Sequence, residues 1–502
     1  MIFQFFIGIF IIVLLIRDKW KSVKYMQLHK KIGISSMSFP FIGHGLIFYG
    51  DGEDRIATID HLSQEAYRNV YGMVSFWLGN FFCVAISDPE SAHFVLKTCL
   101  DKGSMTLVFR HMVGNGSIFA QEKIWRIRRK INAMVLAPRH VNKFTKVFSR
   151  NSQVLVEKLA KAAGKGNISV WEYLCHHVIQ SACETTLGET VNLRPEQFQP
   201  FCEAFMSYFD NVIKRLCQPW LYNITLYKLL PEASRQSAKK KIVWSFINNL
   251  IIRNKVMLKA KRDGLTENNN FSPSDDTKSL LELLIDYSKG YSDTELREES
   301  LVLLLASIDT SVSVSGFALV LLSQHQDVQD KVYEEIQQVF ENSIRPICMD
   351  DINKFKYLDA VIKETMRVYP TTPLIMRKCQ KDIKLPSGLI LKEGTQLVVN
   401  IYGLHRNPKY WGPDADKFKP ERFLNATPEQ LTAYMPFSSG PRNCAGYRIG
   451  AISLKVVIIS VLQKFRLKPS SSFTYNEQNP LRMIHTLVTK HGDRFQLQLE
   501  HR

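Results

Sequence analysis

The stretch Phe437-Ser-Ser-Gly-Pro-Arg-Asn-Cys-Ala-Gly446 carries the densest chemical signal in the chain: of nine cysteines, only Cys444 sits among glycines, an arginine and a pair of serines. Gly440 and Gly446 permit tight turns and let the backbone approach something flat or bulky. A thiolate is a strong soft ligand, and backbone amides in such a loop can donate to its sulfur and stabilise the charge. Arg442, two residues away, can neutralise an acidic group on whatever is bound. The run YRIGAISLKVVIISVL that follows predicts a helix, whose N-terminal dipole favours an anion at the same place. On cysteine chemistry alone, a buried structural thiol in a turn and a ligating thiolate both satisfy this pattern.

The other cysteines, Cys83, Cys99, Cys175, Cys183, Cys202, Cys217, Cys348 and Cys379, are irregularly spaced, and none forms C-x-x-C. An odd total with no regular spacing argues against a disulfide framework and a zinc site, and for a reducing compartment. With 502 residues, 45% hydrophobic and 22% charged, the chain has the composition of a globular protein with a large core, not of a disordered chain or a bundle of membrane spans. Its formal charge of +18 points to an anionic membrane surface, an acidic protein partner or nucleic acid.

The N-terminus reads MIFQFFIGIFIIVLLI, then RDKWKSVK. As a helix the apolar run spans about 24 Å, slightly short for a bilayer core. A cleaved signal peptide would carry a basic residue before the apolar run and a small-residue site after it, and neither is present. Arg17, Lys19, Lys21 and Lys24 follow at once, so the positive-inside rule predicts an uncleaved anchor at 1–17 with the rest of the chain cytosolic. The sequons at Asn115, Asn167, Asn223, Asn270 and Asn425 should then stay unmodified. Residues 18–46 read as a linker containing the hinge SSMSFPFIGHG, and 47–502 as a single domain.

Within that domain MVSFWL-GN-FFCVAI predicts a β-hairpin turning at Gly79-Asn80. From about 90 to 260 the pattern is mostly helical, and Gly264–Lys278 reads as a surface loop. Ser292 and Glu295 form a capping box ahead of LVLLLASIDTSVSVSGFALVLL. That run is long enough to span a membrane, but Asp309 lies in its middle among hydroxyl side chains, so a buried central helix is expected. Short strands are expected at about 380–405, and a C-terminal hairpin turning near His491-Gly492. The fold class is therefore mainly α with small β-sheets and no doubly wound parallel sheet.

The spacing F-x-x-G-x-R-x-C-x-G, from Phe437 through Gly440, Arg442 and Cys444 to Gly446, resembles the haem-binding loop of the cytochrome P-450 family. The resemblance extends to the N-terminal anchor, LPSGLILKEGT, HRNPKYWGPDADKFKPERF and KETMRVYP, and is most like the microsomal family-4-type enzymes of animals and insects. It implies the P-450 fold, with a long central helix over haem. It also implies Cys444 as the metal ligand of a haem b that is otherwise non-covalent, flanked by Phe437 and Gly446. Trp125 and Arg129 in WRIRRK, with Arg377 and Arg442, would meet the propionates. Glu364, Arg367 and Arg422 would form a buried structural network. ASIDTS, Ala306 to Ser311, lines up with the oxygen-activation motif, making Asp309 and Thr310 the proton-relay residues for dioxygen.

Ser307 stands where that motif usually has glycine, which places a side chain where the helix normally bulges. Ala306 replaces the glutamate that esterifies haem in many fatty-acid ω-hydroxylases, so no covalent link is expected there. The hinge holds only Pro40 where relatives usually have several prolines. The resemblance implies a monooxygenase of the endoplasmic reticulum membrane, inserting one oxygen atom into a fatty acid, terpenoid, hormone or xenobiotic. Electrons would come from an NADPH-cytochrome reductase, with a cytochrome b-type donor as a second source. Arg126, Arg128, Lys130, Arg139, Lys143 and Lys146 would form the docking face, and no nucleic-acid motif is present. The cavity is expected around 104–116, 205–212, 303–310, 372–376 and 484–486. A haem-thiolate isomerase or dehydratase, and a non-catalytic haem-binding protein, are the rival readings; the Asp309-Thr310 pair speaks against the first, and Ser307 is the only support for the second.

Overall fold

The computed structural model describes residues 23–188, 195–262, 277–288, 290–341, 343, 345–472 and 480–502. The expected anchor, and the loop Gly264–Lys278 apart from its last two residues, lie outside them. Helices dominate and the strands are short, as the sequence implied. The elements that build the site begin with helix α1 (23–32), α2 (Gly52–Arg68), strands β1 (Met73–Leu78) and β2 (Phe81–Ile86), and α3 (Pro89–Thr98). Helices α4 (Glu122–Val135), α5 (Thr145–Ala160), α6 (Val170–Leu187) and α7 (Asp210–Cys217) lead to the central α8 (Asp293–Gln324). Then come α9 (Tyr357–Val368), β3 (Leu374–Lys378), β4 (Gln396–Asn400) and α10 (Tyr447–Lys464). Strands β5 (Phe465–Pro469), β6 (Met483–His485), β7 (Thr489–His491) and β8 (Gln496–His501) complete the set.

Helix α8 is capped as its sequence predicts: Ser292 Oγ accepts from the Glu295 amide, and Glu295 accepts from the Ser292 amide in return. By length and composition it could cross a membrane. Instead Leu301, Leu304, Ile308, Val312, Phe317 and Leu321 are fully buried in the main core. Each such side chain contributes about 1.5–3 kcal/mol by leaving water. The helix packs against α6, α9, α10 and β5, which makes it the axis of the molecule.

The β1–β2 hairpin forms as expected, with Leu78 opposite Phe81 and Gly79 at φ +59°, a turn conformation glycine adopts without strain. The sheet order is β1-β2-β4-β3. Only the β2–β4 pair is parallel, Cys83 facing Gln396. A parallel pair needs a crossover, and here the crossover is the whole helical body. Residues 23–32, inside the expected linker, form α1 and pack on this sheet: Leu28 and Ile32 are buried, and the Tyr25 ring stacks on Phe82.

The C-terminal hairpin differs from expectation. It turns at residues 486–488, pairing His485 with Thr489, where the Thr486 amide donates to the Val488 carbonyl. The bend at His491-Gly492 instead sends the chain into β8, which pairs with β5 in a separate sheet. Among the described residues there is no disulfide; Cys83, Cys99, Cys175, Cys183 and Cys379 are buried, as small hydrophobes would be.

Candidate active site

The Cys444 loop is closed on itself by two backbone hydrogen bonds. The Cys444 amide donates to the Phe437 carbonyl, and the Asn443 amide to that of Gly440. Gly440 has φ +73°, and a Cβ there would lie 2.5 Å from the Leu96 carbonyl oxygen, so no other residue fits without shifting α3. Gly446 is the N-cap of α10, which sets its backbone close to the Cys444 sulfur. Crowding around the thiol pushes its pKa up, while the Gly446 amide and the Arg129 charge pull the other way.

The sulfur faces an internal cavity of about 500 Å³. Its floor is the first two turns of α10, where Gly446, Gly450 and Ser453 recur at helical spacing and present almost no side chain. A Cβ on Gly450 would touch nothing within 4 Å. The opposite wall is α8, through Val302, Leu305, Ala306, Asp309 and Thr310, and a third wall is the strand approach Thr371–Met376. The lining is mainly apolar.

At one margin the walls turn cationic. Trp125 and Arg129, one turn apart on α4, both reach the cavity. The Arg129 guanidinium donates to the Asn443 carbonyl at 3.0 Å and to its side chain. Arg442 lies over the Trp125 ring at 4.7 Å and donates to the Leu100 and Ala120 carbonyls. Burial pushes its pKa down to about 9, with Arg377 adding to the effect. Arg377 is fully buried, donates from Nη1 to the Met376 carbonyl, and has no partner at Nε or Nη2; burial lowers it to about 10. Lys102, which the sequence reading did not single out, lines the cavity as well, its pKa lowered by burial and then by Arg377 and Arg442. Its only signal is position, just before the expected lining segment at 104. Three mutually repelling cations beside an apolar cavity, one with unsatisfied donors, are matched to an acidic ligand.

On α8, both hydroxyls of SIDT turn back to their own helix: Ser307 Oγ donates to the Leu304 carbonyl and Thr310 Oγ1 to that of Ala306. The helix runs without interruption past Ser307. Asp309 reaches across to β7, 3.7 Å from the Lys490 ammonium. Away from the cavity, Glu364, Arg367 and Arg422 converge as expected. Arg367 grips both Glu364 oxygens at 2.7 and 2.8 Å, and Arg422 Nε stands 3.4 Å from Oε1.

Three expectations are corrected. Arg128 is not on a docking face: it is buried and pairs at 2.9 Å with both Glu298 and Glu299 of α8, while Arg126, Lys130, Arg139, Lys143 and Lys146 are exposed. Phe205, Tyr208, Phe209 and Val212 pack in the core, where the Tyr208 hydroxyl donates to the Met112 carbonyl, and the cavity is lined instead by Ile213, Leu216 and Cys217. From the C-terminal hairpin it is His485, Leu487 and Val488 that face in, not Ile484 and Thr486.

The family model for cytochrome P450 matches residues 35–496. The chain belongs to the cytochrome P450 family. Among its relatives, cytochrome P450 4V2 of Homo sapiens is 28% identical over 451 residues, 88% of this chain and 85% of the relative. Cytochrome P450 4c21 of Blattella germanica is 30% identical over 461 residues, 90% of each chain. Cytochrome P450 4d2 of Drosophila melanogaster is 28% identical over 442 residues, 86% of this chain and 87% of the relative. The chain is thus a P450 of the family-4 type and a haem-thiolate monooxygenase by family.

Proposed function

We propose that the protein holds haem b on Cys444 and inserts one oxygen atom from dioxygen into an apolar small molecule, drawing electrons from an NADPH-dependent reductase. The observation that carries this reading is the cationic margin of the Cys444 cavity, where Lys102, Arg129 and Arg442 line the wall and buried Arg377, near Arg442, has two donors without partners. The residues fit the group. Cys444 would supply the thiolate ligand, Phe437 and Gly446 its surroundings, and Gly450 a bare floor. Arg377, Arg442, Arg129, Trp125 and Lys102 would hold the propionates; arginine's planar fork suits a carboxylate. The bound haem would supply oxygen activation at a thiolate-ligated iron.

The chain's own residues do the rest. The Gly446 amide holds charge on the sulfur. Thr310 Oγ1–H, released from the Ala306 carbonyl, hands a proton toward the cavity, and Asp309 resupplies it. Apolar walls from α8 and Thr371–Met376 exclude water and accept a fatty acid, terpenoid, hormone or xenobiotic alike. Glu364, Arg367 and Arg422 keep the chain around α9 rigid.

An endoplasmic reticulum location, with the apolar N-terminal run as anchor, is supported by exposed Phe39, Phe41, Leu46, Tyr49, Trp220 and Leu229, an apolar surface joined where Tyr49 meets Trp220 at 6.2 Å. The exposed Arg126, Lys130, Arg139, Lys143 and Lys146 offer a docking face for an acidic reductase or a cytochrome b-type donor.

The test is spectroscopic. Reduced protein with carbon monoxide should give the Soret band that names the family, and Cys444→Ser should lose it. A wild-type protein without that band overturns the proposal. Products from a fatty-acid and terpenoid panel, turned over with reductase and NADPH, would then name the substrate.

A further inference from the structure

Of the polar side chains in SIDT, only Asp309 reaches a different element. Its Oδ1 lies 3.7 Å from Lys490 Nζ, and both side chains are nearly buried, at 10% and 14% exposure. Lys490 is held in place: its ammonium sits 5.1 Å from the Trp171 ring centroid on α6, and the neighbouring Thr489 amide donates to the Thr371 carbonyl. Its strand β7 pairs with β6, and the connecting turn carries Leu487 and Val488 into the cavity wall. One hairpin therefore touches both the space for substrate and the partner of the relay acid. Cys175 on α6 lies near enough to feel both Lys490 and Asp309, together with Glu172 and Cys202.

We infer that Lys490 is a positioning residue for oxygen activation, holding the Asp309 carboxylate ionised and in place between solvent and Thr310. The inference rests on the reading of Asp309 as the relay acid. Inserting one oxygen atom takes the substrate, dioxygen, two electrons and two protons to product and water. Each proton passing through Asp309 leaves it a carboxylate again, ready for the next. A cation at this distance favours the charged form of a nearly buried carboxylate, and removing it makes the proton harder to release. The turnover consequence is that protons arrive too slowly, and reducing equivalents leave as hydrogen peroxide.

The test uses the haem-loaded full chain with reductase and NADPH, in Lys490→Gln, Lys490→Arg and Asp309→Asn. Lys490→Gln should move the acid limb of the pH profile of product formation up by about one unit or more. It should also lower the product-to-peroxide ratio by about tenfold, within the range that a proton-transfer group supplies. Lys490→Arg keeps the charge and should restore both. A readout independent of turnover is the infrared C=O band of protonated Asp309, identified by its loss in Asp309→Asn; it should appear at higher pH in Lys490→Gln. Thermal midpoints and the carbon monoxide band check that each variant is folded and loaded, with Lys490→Met as the substitute if Lys490→Gln is not.

If Asp309→Asn removes the acid limb while Lys490→Gln leaves it and the infrared band unmoved, the role of Lys490 is wrong and the relay stands. If Asp309→Asn changes nothing, Asp309 is not the relay, and both readings fall.

Discussion

Glu364 is asked to satisfy more donors than most carboxylates. Its Oε1 accepts from Arg367 Nη2 at 2.8 Å and from the Lys419 amide at 2.9 Å, with Arg422 Nε 3.4 Å away. Arg367, fully buried, spends its remaining donors on the His405, Ala415 and Lys417 carbonyls. A buried pair adds little over an apolar replacement, but removing one partner strands the other charge. Glu364→Gln should therefore destabilise the fold by about 3–5 kcal/mol, read as a lower denaturant midpoint, and should loosen the 405–422 segment. The removal of one charge leaves Arg367 and Arg422 facing each other with no carboxylate between them. Arg377, also buried, instead leaves Nε and Nη2 without partners close to Arg442 and Lys102, so Arg377→Met should weaken haem retention while leaving the apoprotein's unfolding midpoint nearly unchanged.

Between elements, the clearest joint is the one tying α4 to α8. Arg128 reaches Glu298 and Glu299, the Asn132 side chain reaches Glu299, and the Ser117 amide donates to Glu299 as well. Arg128→Met should cost about 3–5 kcal/mol in unfolding experiments, because two buried carboxylates lose their cation. It should leave the KM for reductase unchanged, whereas Lys130→Glu on the exposed face should raise that KM, more so at low salt. The misreading of Arg128 had a physical remedy in the sequence: a 3.6-residue period groups Trp125, Arg128, Arg129 and Asn132 on one side of α4, away from Arg126 and Lys130. Its partners, some 170 residues on, had no such local mark. The Cys444 loop was legible because ligand, turn glycines and helix start lie within ten residues. The β1–β2 hairpin was legible for the same reason, from Gly79-Asn80. The C-terminal turn was not, since Thr486-Leu487-Val488 contains no turn former, and the glycine nearby serves a bend between sheets. Cavity-facing residues on α7 were missed by one turn, because an apolar helix face packed on the core reads like one that lines a cavity.

Across the whole molecule, buried histidines set the response to acid. His177, His485 and His491 are each pushed down to about 4 by burial, and His177 has no partner at either ring nitrogen. Above their usual 6.5 they are neutral in the folded and unfolded chain alike, and stability does not depend on them. Between pH 6.5 and about 4 the unfolded chain takes up protons that the folded chain refuses, so stability falls as pH falls. At 1.36 kcal/mol per unit, each such histidine accounts for up to about 3 kcal/mol. The urea midpoint should drop steadily across that window, and His177→Phe should flatten part of the slope. A midpoint that holds level from pH 6.5 to 4 would contradict this account.

Helix α1 has a consequence for where substrate comes from. Lys24 and Tyr25 both donate to the Glu393 carbonyl, so the chain is moored to the body from residue 24 onward. On the anchored reading only residues 18–22 separate the apolar run from α1. Even fully extended, the steps from Arg17 to Val23 reach about 20 Å. On that reading the body would ride at a short mooring against the lipid, with its apolar flank toward the bilayer. Its working substrate concentration would then be the one dissolved in the membrane, and a Michaelis constant for it would belong in mole fraction of lipid, not in moles per litre of buffer.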